Sequence, residues 1–346
     1  MIAPALGLLY VSNFLPGANP SYSEALAGRL EHRAWRVTRT SNRVARGARL
    51  ADMLRTAWTR RRHYDVGVVD VFSGPAFAWA EAVCFALRRL GKPYVLTLHG
   101  GRLPEFGARW PGRVRRLLGS ASAVTAPSDF MRVRMAAYRS DIALVRNAVD
   151  AGAFAFAPRT AARPRLIWVR AFHAIYNPAL AIDVLAAVAR RFPDATLAML
   201  GPDKGDGSLA AAQVRAAALG VADRLTVVGG VPHGEVARHL AAADVLINTA
   251  DVDNTPLSVL EAMATGLCIV STSAGGLPYL LEDGRSALLV PPRDPDAMAR
   301  AVGRVLDEPG LAEQLSRGAH ARACQHDWAP VLDQWTHTLL AAVANG

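Results

Sequence analysis

With 346 residues, 51% of them hydrophobic and 20% charged, the chain is long enough for two domains with separate cores, and this composition excludes disordered and fibrous classes. No apolar run reaches the roughly 18 residues of a membrane-spanning helix. The net charge of +10 is uneven: residues 1–150 carry 23 Lys and Arg against 10 Asp and Glu, and the remainder carries 16 against 19, so about +13 faces about −3. The first half is therefore expected to meet something anionic, with nucleic acid, an anionic membrane and an acidic acceptor all open on charge alone.

From the N-terminus, Met1 to Tyr10 is apolar without a preceding basic segment, and runs into Asn13 and Pro16-Gly17. It reads as a buried first strand and its turn, not as a cleaved signal peptide. Further strands are expected at Trp35–Val37, Val66–Phe72, Tyr94–Leu98, Ala123–Thr125 and Ile142–Val145. A second series follows at Arg165–Val169, Ala195–Leu200, Leu225–Val228, Asp244–Asn248, Cys268–Ser271 and Ala287–Val290. Helical periodicity fills the gaps, for example Ala179–Phe192, Val259–Thr265 and Ala297–Leu306. Short apolar strands alternating with helices imply parallel sheets covered on both faces. The periodicity breaks near Asp150–Arg165, so the expected domains are 1–152 and 153–326, with a terminal helix at about 327–346 packing back on the first. The three cysteines, Cys84, Cys268 and Cys324, are scattered, which suggests a reducing compartment without disulfides or zinc.

The most informative stretch runs from Asp253 to Gly266, Asp-Asn-Thr-Pro-Leu-Ser-Val-Leu-Glu-Ala-Met-Ala-Thr-Gly. Pro256 suits a first helical position, so the peptide N–H groups of Asn254 to Leu257 would point at an anion, aided by the helix dipole. Asp253 precedes the helix and Glu261 lies inside it; an N-cap with a solvated glutamate is the plainer reading of that spacing. Beyond Gly266 comes an apolar strand and then Gly275-Gly276-Leu277-Pro278.

Together these blocks resemble the donor-site signature of glycosyltransferase family 4: an acidic residue, seven intervening residues, Glu-Ala-Met-Ala-x-Gly, a strand, then Gly-Gly-x-Pro. Weaker landmarks are Leu98-His99-Gly100, Ala126-Pro127-Ser128 and Arg146-Asn147-Ala148-Val149-Asp150. The resemblance implies the GT-B fold, two Rossmann-like doubly wound domains facing a central cleft. It also implies a retaining hexosyltransferase that uses a nucleoside diphosphate sugar as co-substrate, with no metal and no other cofactor. In that scheme Glu261 accepts the ribose hydroxyls, Asp253 holds hydroxyls of the donor sugar, and Arg170 binds the diphosphate. Amides around Asn254, Thr255, Pro256 and Leu257 face sugar and phosphate, Pro256 itself lacking an N–H. His99 would reach the donor sugar from the N-terminal domain. Gly17 would line the meeting point of acceptor and donor, although the family's double glycine is absent there.

Two positions depart from the pattern. The first acid is Asp253 where Glu is commoner. The Lys usual some six residues after the arginine is also missing, since Tyr176-Asn177 stands there. Lys204 or His173 could supply that charge; without it a non-catalytic nucleotide-sugar-binding protein, or a GT-B nucleotide-sugar epimerase, is the alternative. Asp251-Val252-Asp253 spells a metal-binding Asp-x-Asp, but amides and Arg170 already supply an anion site, so it reads as incidental. Gly205-Asp206-Gly207 is no phosphate-binding P-loop, and no Gly-x-Gly-x-x-Gly follows the first strand.

Basic segments lie at Arg43, Arg46, Arg49, Arg55 and Arg60–Arg62, and at Arg109, Arg113, Arg115 and Arg116. In the first, Leu50, Leu54 and Trp58 fall four apart beside arginines. This fits a helix on an anionic membrane, or equally a core-packed helix with a solvated basic face. Nucleic acid is disfavoured, because no stacking aromatics are interleaved. The expected partners are thus the nucleotide-sugar donor, a hydroxyl acceptor of lipid-linked or polysaccharide type, and an anionic membrane surface. The expected location is cytoplasmic, with peripheral attachment to the inner face of the membrane as an option.

Overall fold

The computed structural model describes residues 6–15 and 21–345, so Gly17 lies outside the described residues. The chain forms two compact units: Met1–Asn147 with Ala329–Gly346, and Ala148–Trp328.

In the first unit the elements alternate as β1 (Gly7–Val11), α1 (Tyr22–His32), β2 (Arg36–Thr40), α2 (Arg46–Thr59), β3 (Val66–Val71) and α3 (Pro75–Arg89). They continue as β4 (Tyr94–Leu98), α4 (Leu103–Arg109), α5 (Pro111–Gly119), β5 (Ala123–Ala126), α6 (Asp129–Met135) and β6 (Ala143–Leu144). The sheet order is β2-β1-β3-β4-β5-β6, every pair parallel. Strands β1, β3 and β4 are buried along their whole length, as expected of a sheet with helices on both faces. β2 differs from the expected Trp35–Val37: it starts at Arg36 and runs to Thr40, an edge strand whose exposed Arg36 and Arg39 hide it in an apolarity scan.

Helix α2 settles one of the two readings of the first basic segment in part. Its buried face is Arg49, Met53 and Ala57, with Leu54 packed beside them, while Trp58 is 59% exposed. Arg49 is not a surface charge: its guanidinium donates to the carbonyls of Arg43 and Val44 and to Asn13 Oδ1, at 2.7, 2.8 and 2.9 Å. It ties the loop before α2 to the end of β1, and it leaves the membrane-facing set.

The second unit runs β7 (Arg165–Val169), α7 (Pro178–Ala189), β8 (Thr196–Leu200), α8 (Ser208–Ala218), β9 (Leu225–Gly229), α9 (His233–Ala242) and β10 (Val245–Asn248). Then come α10 (Leu257–Thr265), β11 (Cys268–Thr272), α11 (Leu277–Leu280), β12 (Leu288–Val290), α12 (Pro295–Asp307) and α13 (Leu311–Ala323). Its parallel sheet has the order β12-β11-β10-β7-β8-β9. One core cluster, around Trp168, Leu185 and Met199, lies beneath α7 and α12; another, around Ile167, Leu246 and Met263, lies beneath α10 and α13. The final helix α14 (Trp328–Ala344) belongs almost wholly to the first unit, where Trp335 is buried and Asp333 pairs with Arg33 at 2.9 Å.

Strand order reverses between β7 and β10 in the second sheet, and between β1 and β3 in the first. Helices leave the sheet on opposite faces at such a point, which opens a crevice beyond the carboxyl ends of those strands.

Candidate active site

In the second unit, Arg170 follows β7 directly and the segment from Asp251 to Pro256 follows β10. Packing locks the two loops together. Thr249 accepts a hydrogen bond from the Trp168 indole at 2.9 Å and donates to the carbonyl of Tyr176 at 2.7 Å. Asp251 N–H donates to the carbonyl of Ile175 at 2.9 Å.

Arg170 and Asp253 form an ion pair with side chains only 17% and 11% exposed. The guanidinium also lies 4.5 Å from the centroid of the Tyr176 ring, a cation–π contact. Burial works against the charge on Arg170, and Tyr176 and Glu261 offset this only in part. Asp253 Oδ1 accepts from the Asn254 N–H at 2.9 Å. By contrast, Asp253 Oδ2 and Arg170 Nε have no aligned hydrogen bond among the described residues. Asp253 Oδ2 is the oxygen that meets Arg170 Nη2.

Glycines set the position of Asp253. Gly275 has φ of +58°, and a Cβ there would meet the Asp253 carbonyl oxygen at 2.0 Å; one at Gly276 would meet that of Asn254 at 2.1 Å. Gly276 N–H donates to the Asp253 carbonyl at 2.9 Å. Only glycine permits this approach of two backbones. Gly201, outside the expected set, does the same beneath Arg170, where a Cβ would meet the Arg170 carbonyl at 1.8 Å.

Asn254 and Thr255 are buried, and Pro256 is the N-cap of α10, with Leu257 the first helical residue. The expectation that Pro256 opens the helix is thus displaced by one position. Glu261, in the second turn, is buried, with His233 Nδ1 at 3.7 Å from its Oε1. Burial pushes its carboxyl above the ordinary value of 4.5, which His233 and then Arg170 offset.

Neither candidate for the missing lysine joins this cluster. Lys204 is exposed, and no hydrogen bond or ion pair links its side chain to Arg170, Asp253 or Glu261. His173 uses Nδ1 to accept from Ile175 N–H at 3.2 Å, and its Nε2 lies 3.9 Å from Asp206. A cation that sequence reading passed over does come close. Arg293, held at φ of +61°, binds Asp251 through Nε and Nη2 at 3.0 and 2.8 Å. Asp251 and Asp253 thus each face an arginine. His233 and Arg293 were hidden because only tertiary packing brings them to this loop; the one local hint was Pro232 before His233, at the start of a helix.

His99 belongs to the first unit. It follows β4, stacks on Phe72 at 5.1 Å, and its Nε2 lies 3.1 Å from Oδ1 of the fully buried Asp70, without hydrogen-bond alignment. Ser23 donates to the other Asp70 oxygen at 2.7 Å, and Ser12 to Ser23 at 3.1 Å. Asp70 was also passed over, although a lone carboxylate at the end of the apolar strand Val66–Val71 was a legible signal.

Two family models match the chain: "Glycosyltransferase Family 4" over residues 14–153 and "Glycosyl transferases group 1" over residues 163–308. A D-inositol 3-phosphate glycosyltransferase from Frankia alni is 28% identical over 85% of this chain and 80% of its own length. A GDP-mannose-dependent alpha-(1-6)-phosphatidylinositol monomannoside mannosyltransferase from Mycolicibacterium smegmatis is 30% identical over 64% of this chain and 60% of its own. Among solved structures, a sucrose-phosphate synthase from Thermosynechococcus elongatus superposes with a TM-score of 0.80 at 17% identity, covering 99% of this chain and 100% of that one. The Anabaena protein HepE in complex with UDP-glucose superposes at 0.75 with 19% identity, covering 97% and 100%. Two parallel α/β units with this strand order are the GT-B fold. The chain belongs to glycosyltransferase family 4, and its activity is glycosyl transfer.

Proposed function

We propose that the transfer proceeds with retention at the anomeric carbon and without a metal, and that the donor lies at the Arg170–Asp253–Glu261 cluster. The observation that carries this reading is the convergence of one arginine, two carboxylates and the start of α10 at the switch point of the second sheet. Glu261, a buried carboxylate with the His233 imidazole 3.7 Å away, suits two adjacent ribose hydroxyls as donors. Arg170 and the amides of Thr255 and Leu257 suit the diphosphate, where negative charge grows as the glycosidic bond breaks. Asp253 suits the sugar hydroxyls. Because both carboxylates of the Asp-x-Asp sequence face arginines, a bound divalent cation is unnecessary to this scheme.

Retention is favoured because, among the described residues, the two carboxylates are committed, Asp253 to Arg170 and Glu261 to the proposed ribose. The acceptor oxygen forms its bond to the anomeric carbon on the face that the phosphate leaves. The bond from anomeric carbon to phosphate oxygen breaks, and the departing oxygen takes the acceptor's proton. Asp253, held against Arg170, is poorly placed to take that proton. The name of the Mycolicibacterium smegmatis relative and the basic first half motivate a lipid-linked or membrane-proximal acceptor, with anionic lipid under the exposed arginines of α2 and peripheral attachment at the cytoplasmic face.

The test is a transfer assay with UDP, GDP and ADP sugars in excess EDTA, the product read by proton NMR. The expected product keeps the donor's anomeric configuration and forms at an undiminished rate. An inverted product would refute retention; turnover lost in EDTA and restored by magnesium or manganese would refute metal independence.

A further inference from the structure

Arg170 and Asp253 are assigned to opposite ends of the donor's leaving group and sugar, yet the structure pairs them with one another. Among the described residues, Asp253 has no second cation at hand. Arg293 is engaged with Asp251 at 2.8 Å, and no ion pair joins Lys204 to the cluster. Nor can the backbone carrying Asp253 withdraw, because the backbones of Gly275 and Gly276 are packed against its own carbonyl and that of Asn254. A buried ion pair broken on one side leaves an uncompensated charge in a poor solvent, which is far more costly than leaving the pair intact.

Resting on the donor-site reading above, we infer that Arg170 and Asp253 form an exchange pair that makes the site favour the intact donor over a bare diphosphate. A bare diphosphate draws Arg170 away and strands the Asp253 carboxylate. A glycosylated diphosphate draws Arg170 away and offers sugar hydroxyls to Asp253 in the same event, so that both charges find new partners. Asp253 Oδ2 and Arg170 Nη2, the atoms that meet in the pair, are the ones these ligand groups would engage. After transfer, the product diphosphate no longer satisfies Asp253. Re-formation of the pair then assists its release, so the pair sets specificity between substrate and product.

Inorganic pyrophosphate isolates this effect, since it engages the phosphate locus without base or sugar. Calorimetry compares the intact wild-type chain, Asp253→Asn, Arg170→Gln and the double variant, with circular dichroism and thermal unfolding as a check on folding. Asp253→Asn keeps the shape of the side chain, removes its charge and releases Arg170. Pyrophosphate should bind Asp253→Asn at least tenfold more tightly than wild type, equivalent to about 1.4 kcal/mol. The gain should vanish in the double variant, which separates release of Arg170 from mere loss of negative charge. Equal affinity in wild type and Asp253→Asn, a gain that survives Arg170→Gln, or no binding to either protein would overturn the exchange pair. The donor-site reading fails separately: the pyrophosphate gain would then appear while no UDP, GDP or ADP sugar binds the wild-type chain.

Discussion

The residue with the sharpest conflict between folding and function is Glu261. A carboxylate under the α/β core edge costs stability, and the half-exposed His233 and then Arg170 offset this only in part. Its carboxyl is raised above 4.5, so the folded state binds that proton more readily than the unfolded state does. Stability therefore falls as pH climbs through the window above about 4.5, and the cost is absent below it. Glu261→Gln should raise the unfolding temperature at pH 7 by roughly 2–4 °C, the shift that about 1 kcal/mol produces in a domain of this size. The difference should close on acidification below about pH 4.5. Scanning calorimetry across pH 4–8 checks this, and an Gln variant less stable than wild type at pH 7 would show that the carboxylate is well satisfied in the fold. The buried thiols of Cys84 and Cys268, both pushed up to about 12 by burial, take no part in such chemistry.

At the scale of elements, legibility tracked how local the determining physics was. Strands β1, β3, β4, β10 and β11 are buried along their length because both faces are covered, and their mostly apolar runs make each evident. β2 was displaced because one edge faces solvent and tolerates arginine. The Asp253–Glu261 spacing and the Gly275-Gly276 pair are contiguous in sequence, and so were readable together. That Arg170 sits against Asp253 depends on β7 and β10 being neighbours in the sheet, which strand-like apolarity does not specify. Arg49 shows the same limit on a helix. Periodicity puts it among arginines, while its burial is dictated by Asn13 and two carbonyls contributed by other segments.

With Arg49 removed, the outward charges near α2 are Arg43, Arg46, Arg55, Arg60 and Arg62, with Trp58 exposed beside them. Each arginine near an anionic leaflet is worth about 1 kcal/mol, so a few suffice for reversible docking. Sedimentation with phosphatidylglycerol vesicles should show binding at low salt that weakens as screening sets in, and that drops when Arg43, Arg46 and Arg55 are changed to Glu. Indifference to these vesicles at low salt would instead favour the reading of α2 as a core-packed helix with a solvated face.

For the molecule as a whole, family membership and fold agree with two doubly wound units, each of which gathers polar side chains at its own switch point. In the first these are Ser12, Asp70 and His99; in the second, Arg170, Asp253 and Glu261. The second of these is the proposed donor site, and Glu261 tests that most directly because its proposed role is confined to the nucleotide. Calorimetry with whichever of UDP, GDP and ADP binds the wild-type chain most tightly should find the dissociation constant raised about 10- to 100-fold in Glu261→Ala. That corresponds to roughly 1–3 kcal/mol, as expected for lost hydrogen bonds to a charged group. Thermal unfolding of the free variant should remain cooperative. Unchanged nucleotide affinity in a folded Glu261→Ala protein would contradict the account and move the donor site elsewhere.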